Sequence, residues 1–387
     1  MLVERLRTRI HREGPIPFDA FMAAALYDPD GGFFARGGGA GRAGRDFVTS
    51  PETGALFGAL VARFLDSWWE RLELPDPFVV VDAGASTGRL AADVLRAGPV
   101  CAPALRYVLV ERSARLREEQ RERLPVEPAD RALGPAAPGE GGDAPTPVPG
   151  IGPVVTALED LPAGIDHGVV IANELLDNLP FRIAKWTGAR WDEVRVGEHD
   201  GAFVEISVPA LPEVAAAADV VRAGVPMAEG DRIPVPFGTA EWVERVATVL
   251  HRGALVLIDY GATAAELVAR TADGWLRTYR AHQSGGPALA GPGEQDITAD
   301  VPVEHVLAVA TRSGFTLEAH ATQRDWLRGL GIDELADAAA GTWRAGAARG
   351  DLEALAARSR VSEAAALTDA SGLGAHHVLV FRTGLRR

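Results

Sequence analysis

Apolar residues recur along this chain in two rhythms. Short continuous runs at residues 78–83 (FVVVDA), 106–111 (RYVLVE), 168–172 (GVVIA) and 254–258 (ALVLI) predict strands buried on both faces. Helical spacing over residues 88–97 and 113–123 separates the first of them, and this alternation predicts a parallel, doubly wound α/β sheet. Upstream, residues 1–12 form an amphipathic pattern, and residues 18–26 form a second helix stopped by Asp28, Pro29 and a glycine pair. Thr49, Ser50, Pro51 and Glu52 combine a hydroxyl cap, an early proline and a carboxylate, and so predict a helix running to about Leu72. Downstream, a hairpin over 181–206 with Trp186 and Trp191, then helices near 213–222 and 238–250, predict an inserted subdomain. Residues 303–323 read as helix then strand, and residues 376–383 (HHVLVFRT) as a last strand.

Two stretches break the pattern. Residues 35–46 are dense in glycine, and residues 125–153 in Pro, Gly and Ala, so both read as mobile loops, the second without chemistry. The resulting division is an N-terminal helical and lid region 1–76, a core 77–180, an inserted subdomain 181–250, and a second core part 251–387 with a lid loop 282–298. Composition narrows the class. With 47% hydrophobic and 24% charged residues the chain is globular, and no apolar run is long enough for membrane insertion. A formal charge of -14 argues against nucleic acid as partner and suits a basic one. Cys101 is the single cysteine, which excludes an intrachain disulfide and a cysteine-rich metal site, and makes a cytoplasmic location the default expectation. Residues 1–12 carry arginines but also Glu4 and no serine, which favours an ordinary helix over a transit segment.

The candidate chemistry starts at residues 79–90 (VVVDAGASTGRL), where a buried strand enters a small-residue turn and then a helix. Gly84 and Gly88 permit backbone angles and close approaches that a side chain forbids, and helix amides beyond them can face a polar ligand. The order Asp82, Ala83, Gly84, Ala85, Ser86, Thr87, Gly88 is not the G-x-G-x-x-G of dinucleotide folds, which leaves a nicotinamide oxidoreductase a distant alternative. It resembles the D/E-x-G-x-G-x-G turn of class I S-adenosylmethionine (SAM) methyltransferases, with Ser86 at the middle glycine. Glu111 ends the next strand, where a carboxylate accepts hydrogen bonds from both ribose hydroxyls; its alternative role is a helix cap. Asn173, Glu174 and Asp259 follow two further strands, and the carboxyl ends of parallel strands form the ligand crevice of such sheets.

Several separated segments together resemble the MidA family: GPIPFDAFM with LYDPDGGFF, RDFVTSPETGALFG, the glycine turn, YVLVERSARLREEQ, IANELLDNLP, LIDYG, and LRTYRAH followed by GPGEQDIT. The resemblance runs almost end to end, and TSPE, NELLDNLP and DIT are its most specific parts. It implies a class I methyltransferase (Rossmann-like) doubly wound sheet with SAM as cofactor, an N-terminal helical extension and a protein substrate methylated on arginine. The family's mitochondrial member assembles respiratory complex I, so a respiratory complex subunit is the partner the resemblance suggests. Ser86, Phe33, Phe34, Arg45 and Asp300 depart from the family's usual residues, and Ser86 admits a second reading, a SAM-binding assembly factor without turnover.

Within this reading Asp82, Gly84, Ser86, Gly88, Glu111 and Asn173 are cofactor residues, and Asp46, Thr49 and Ser50 close over the cofactor or else cap a helix. Glu174 and Asp177, three apart, fall on one face of a helical turn and clamp the acceptor guanidinium, or alternatively cap that turn. His282 is the third catalytic candidate, contacting substrate with Arg277, or alternatively is structural, while Asp296 and Thr298 fix the lid loop. No metal is expected.

Overall fold

Seven strands share one sheet, and their residue types explain why: Phe78–Ala83 (β1), Leu105–Val110 (β2), Val154–Leu158 (β3), Gly168–Asn173 (β4), Gly253–Asp259 (β5), Thr316–Thr322 (β6) and His377–Thr383 (β7). The computed structural model describes residues 1–38, 49–137, 148–270, 274–280, 283–347 and 352–385. The sheet order is β6-β7-β5-β4-β1-β2-β3. β1 and β2 are buried along their whole length, as their unbroken Val, Phe and Leu runs require in a sheet covered on both faces. β1 pairs parallel with β2 and β4, β3 with β2, and β5 with β4, while β6 pairs antiparallel with β7.

The chain divides into two compact units, one of residues Val48–Asn173, Thr248–Ile258 and Thr316–Arg387, the other of Met1–Phe47, Glu174–Ala247 and Asp259–Phe315. This grouping differs from a division in chain order, because residues 1–47 belong with the inserted segment and not with the helices that follow them. The first unit holds the seven-stranded sheet and a core centred on Phe57, Leu65, Trp68, Phe78, Tyr107 and Val256. The second is organised by a five-stranded sheet in the order Ile16–Pro17, Trp191–His199, Arg182–Trp186, Arg232–Val235, with Ala202–Pro209 paired on Trp191–His199. Phe18, Phe21, Phe181 and Trp275 fill its core. The expected hairpin is thus one part of a meander, although Trp186 and Trp191 do pair across it, with ring centroids 5.1 Å apart.

Three expectations change. The TSPE segment does not start one continuous helix: Ser50–Thr53 is a single turn, Gly54 at φ 157 breaks the chain, and Ala55–Arg71 begins anew. A Cβ on Gly54 would lie 2.0 Å from Glu363 Cδ, and Glu363 Oε2 accepts the Leu56 amide at 3.1 Å, so a distant carboxylate caps this helix. The stretch read as a mobile loop over 125–153 contains the helix Ala129–Leu133 and leads straight into β3; residues 138–147 lie outside the described residues. Helices Gln323–Gly329, Ile332–Gly346 and Leu352–Leu367 lay outside the sequence reading altogether.

Candidate active site

The registers β1–β2 and β1–β4 set Ala83 opposite Val110 and Ala172, so Gly84, Glu111 and Asn173 are the next residues along one carboxyl edge. The turn there is built on left-handed backbone. Gly84 has φ 74 and Gly88 φ 74, and Gly88 is the N-cap of the helix Arg89–Ala97. Ser86 has φ 46, a conformation that costs an L side chain of the order of 1 kcal/mol and that glycine adopts freely. What holds it there is a pair of contacts: the Ser86 amide donates to Glu111 Oε2 at 3.1 Å, and Gln120 Nε2 donates to the Ser86 carbonyl at 2.7 Å. Gln120 is fully buried in an otherwise strongly polar helix, and only its spacing of four from the buried Leu116 marks it in the sequence.

Glu111 also accepts the Ser113 amide on Oε1 at 2.9 Å, and burial raises its pKa against the pull of the Ser113, Ser86 and Arg112 amides and the Arg117 charge. An ionised carboxylate offers about four lone-pair sites, so acceptor capacity remains on Glu111 for a ribose hydroxyl. The residues of the turn therefore fit a nucleoside: a half-buried carboxylate acceptor beside a turn built of small side chains. Asp82 is different. It is buried on β1 with its Oδ2 accepting the Tyr107 hydroxyl at 3.4 Å, and burial, with the nearby Glu111 charge adding to it, lifts its pKa to about 7. Thr49 is buried without a side-chain cap bond. Ser50 is buried too, and its hydroxyl donates to Gln323 Oε1 at 2.9 Å, which ties the TSPE turn to packing. Asp46 and His282 lie outside the described residues.

The second unit carries the carboxylates. Glu174 and Asp177 do not share a helical turn: Glu174 stands at φ 52 before the short 3₁₀ turn Leu176–Asn178, which alone contains Asp177. A left-handed non-glycine residue at a candidate site is itself a notable feature. Glu174 is half-buried, whereas Asp177 is buried and accepts the Thr298 hydroxyl on Oδ2 at 2.6 Å. Asn178 donates to Asp296 Oδ1 at 2.9 Å, so the NELLDN and DIT motifs are bonded to one another and Asp296 and Thr298 brace the acidic turn. Asp259 supports it from below, its Oδ2 accepting the amides of Leu176 at 2.8 Å and Asp177 at 3.4 Å, and its Oδ1 that of Tyr260 at 2.8 Å. Burial raises the pKa of Asp177, and burial together with the charges of Asp177 and Glu174 raises that of Asp259 further. Arg277 stacks 5.5 Å from the Tyr260 ring centroid and bonds the buried Asp300, which also pairs with Arg270. Among the described residues no group of side chains is arranged to hold a metal ion.

A glycine turn after the first strand, an acid ending the second and the order β6-β7-β5-β4-β1-β2-β3 define a class I SAM-dependent methyltransferase. Residues 60–321 match a family described as "Putative S-adenosyl-L-methionine-dependent methyltransferase", and the chain belongs to it. It is similar to the mitochondrial protein arginine methyltransferase NDUFAF7 homolog of Drosophila melanogaster, 29% identical over 81% of this chain and 70% of that one. The mitochondrial protein arginine methyltransferase NDUFAF7 of Homo sapiens is 27% identical over 86% and 74%. A crystal structure from Burkholderia thailandensis, described as a "likely methyl transferase" bound to S-adenosyl-homocysteine, superposes with TM-score 0.79 at 31% identity and covers all of this chain and 92% of that one. The protein is an enzyme whose cofactor is SAM. The cytoplasmic expectation is corrected, because these curated relatives are mitochondrial by name; cysteine usage distinguishes an oxidising compartment from a reducing one and is blind to organelles. No helix among the described residues is long and apolar enough to cross a membrane.

Proposed function

We propose that this methyltransferase acts on an arginine side chain of a protein, with a respiratory complex subunit as the candidate partner. The observation that carries the reading is similarity over 81–86% of the chain to proteins named as arginine methyltransferases. Glu111, Gly84, Ser86, Gly88 and Asn173 bind the cofactor, whose sulfonium supplies an already activated methyl group. The chain's own work is to orient the acceptor. A guanidinium is a poor nucleophile while its charge is delocalised, and carboxylates that bind it through charge-assisted hydrogen bonds fix its plane and draw charge onto one side. Glu174 and Asp177 take that role, the first reaching the acceptor from a strained backbone and the second held by Thr298. Incubating cell lysate with the enzyme and isotopically labelled SAM, then hydrolysing the protein to amino acids, should place the label in methylarginine. Label confined to other residues would overturn the arginine assignment.

A further inference from the structure

We infer that Arg277 is the built-in counter-cation of the acidic turn, and that Asp300 is the positioning residue that keeps it there. This deepens the reading in which Asp177 orients the acceptor and rests on it.

Strand pairing decides where Arg277 stands. Leu276–Arg280 and Asp296–Ala299 run antiparallel, with Arg277 directly opposite Thr298 and Tyr279 opposite Asp296. Residues opposite one another in such a pair share a face of the ladder, and so do residues two apart on one strand. On that face Thr298 donates to Asp177 and Asp296 accepts from Asn178. The face that carries Arg277 is therefore the face that grips the acidic turn.

Two contacts fix its guanidinium. One is the Tyr260 ring, whose centroid is 5.5 Å away. The other is Asp300, which continues the ladder through its amide to the Trp275 carbonyl at 3.0 Å. The Arg277 side chain is 33% exposed and that of Asp300 only 3%, so the carboxylate is the fixed partner and the guanidinium the held one. Arg277 pairs with Oδ1 of Asp300 and Arg270 with Oδ2. Two guanidinium groups thus share one carboxylate, and one positive charge is left over.

The acidic turn is where that charge acts. Burial pushes the Asp177 carboxyl up, and the Thr298 hydroxyl and the Arg277 charge pull it down. Burial and the charges of Asp177 and Glu174 raise Asp259, while Tyr260 is raised by burial, Glu174, Asp177 and Tyr279 and lowered by Arg277. A carboxylate must be ionised to make charge-assisted bonds to a guanidinium, and a nearby cation favours that form. Asp300 departs from the family's usual residue, so this anchor lies outside the pattern by which the family is recognised.

The ionisation of Asp177 tests the pair without acceptor or turnover. Protein isotopically labelled in its aspartate carboxyl carbons is titrated by NMR, with the Asp177 signal assigned by its loss in Asp177→Asn. Arg277→Gln should raise the Asp177 midpoint by about one pH unit, and Arg277→Lys should bring it back. Asp300→Asn should also raise it, because the released Arg277 withdraws; loss of the Asp300 charge alone would move the midpoint down. Gln and Lys both fill the space of Arg277 and only Lys keeps the charge, so a packing role would not give this pattern. A midpoint unmoved in Arg277→Gln, unrestored in Arg277→Lys or not raised in Asp300→Asn overturns the inference, and should Arg277→Gln not fold, Asp300→Asn carries the test. The orienting role of Asp177 fails separately, by full turnover in Asp177→Asn.

Discussion

Thr298 donates its hydroxyl to Asp177 Oδ2 at 2.6 Å, joining residues 121 positions apart. Since Asp177 is buried, removing that donor leaves a carboxylate oxygen unsatisfied. Thr298→Val should lower stability by about 1 to 3 kcal/mol and slow methyl transfer, while Thr298→Ser keeps both. Denaturant melts and turnover on labelled acceptor measure the two effects, and a Thr298→Val protein with wild-type turnover would remove Thr298 from the site.

Glu174→Gln and Asp177→Asn remove charge while preserving shape. Cofactor affinity should survive in both, and turnover should fall roughly a hundredfold or more, because a misplaced nucleophile costs that much. Turnover within twofold of wild type in both variants would leave these residues a capping role only.

Glu111→Ala removes the acceptor offered to the ribose. SAM affinity, measured by isothermal titration, should drop roughly tenfold to hundredfold, the equivalent of about 1 to 3 kcal/mol. An unchanged affinity in a folded variant would refute the ribose assignment.

Ser86→Gly tests the strained turn. At φ 46 the serine side chain is disfavoured, so glycine should raise stability by up to about 1 kcal/mol and leave SAM affinity intact or higher. A sharp loss of affinity would instead make the hydroxyl a ligand.

Asp82 predicts a pH dependence. Its folded pKa of about 7 stands above the unfolded value of 3.8, so the folded protein holds a proton that the unfolded chain has released. Stability should therefore fall as pH rises from about 4 to about 7, and level off above. Asp82→Asn should flatten that slope and raise the melting temperature at pH 8; an identical slope in the variant would exclude Asp82 as its source.

The sequence patterns carried the core of this fold and little of its acidic site. β1, β2, β4 and β5 were legible because buried parallel strands are unbroken apolar runs, and Gly84 and Glu111 because they end two of them. β3 went unseen, since Val154–Leu158 is short and follows a proline- and glycine-rich stretch. The left-handed Glu174 could not be read either, because no local preference announces φ 52 in a glutamate. The bonds from Thr298 to Asp177 and from Asn178 to Asp296 cross more than a hundred positions, and periodicity reports only neighbours.

The place of β7 between β6 and β5 has a consequence for the order of synthesis. Residues 377–383 follow the other six strands of the sheet along the chain, yet they form an interior strand and not an edge. Until they emerge, β5 and β6 have no common neighbour, and the nascent sheet exposes an unpaired parallel edge to the ribosome surface and to chaperones. Shortening the chain to residue 376 would therefore not trim a margin; it would cut β6, and the helices that follow it, away from the sheet.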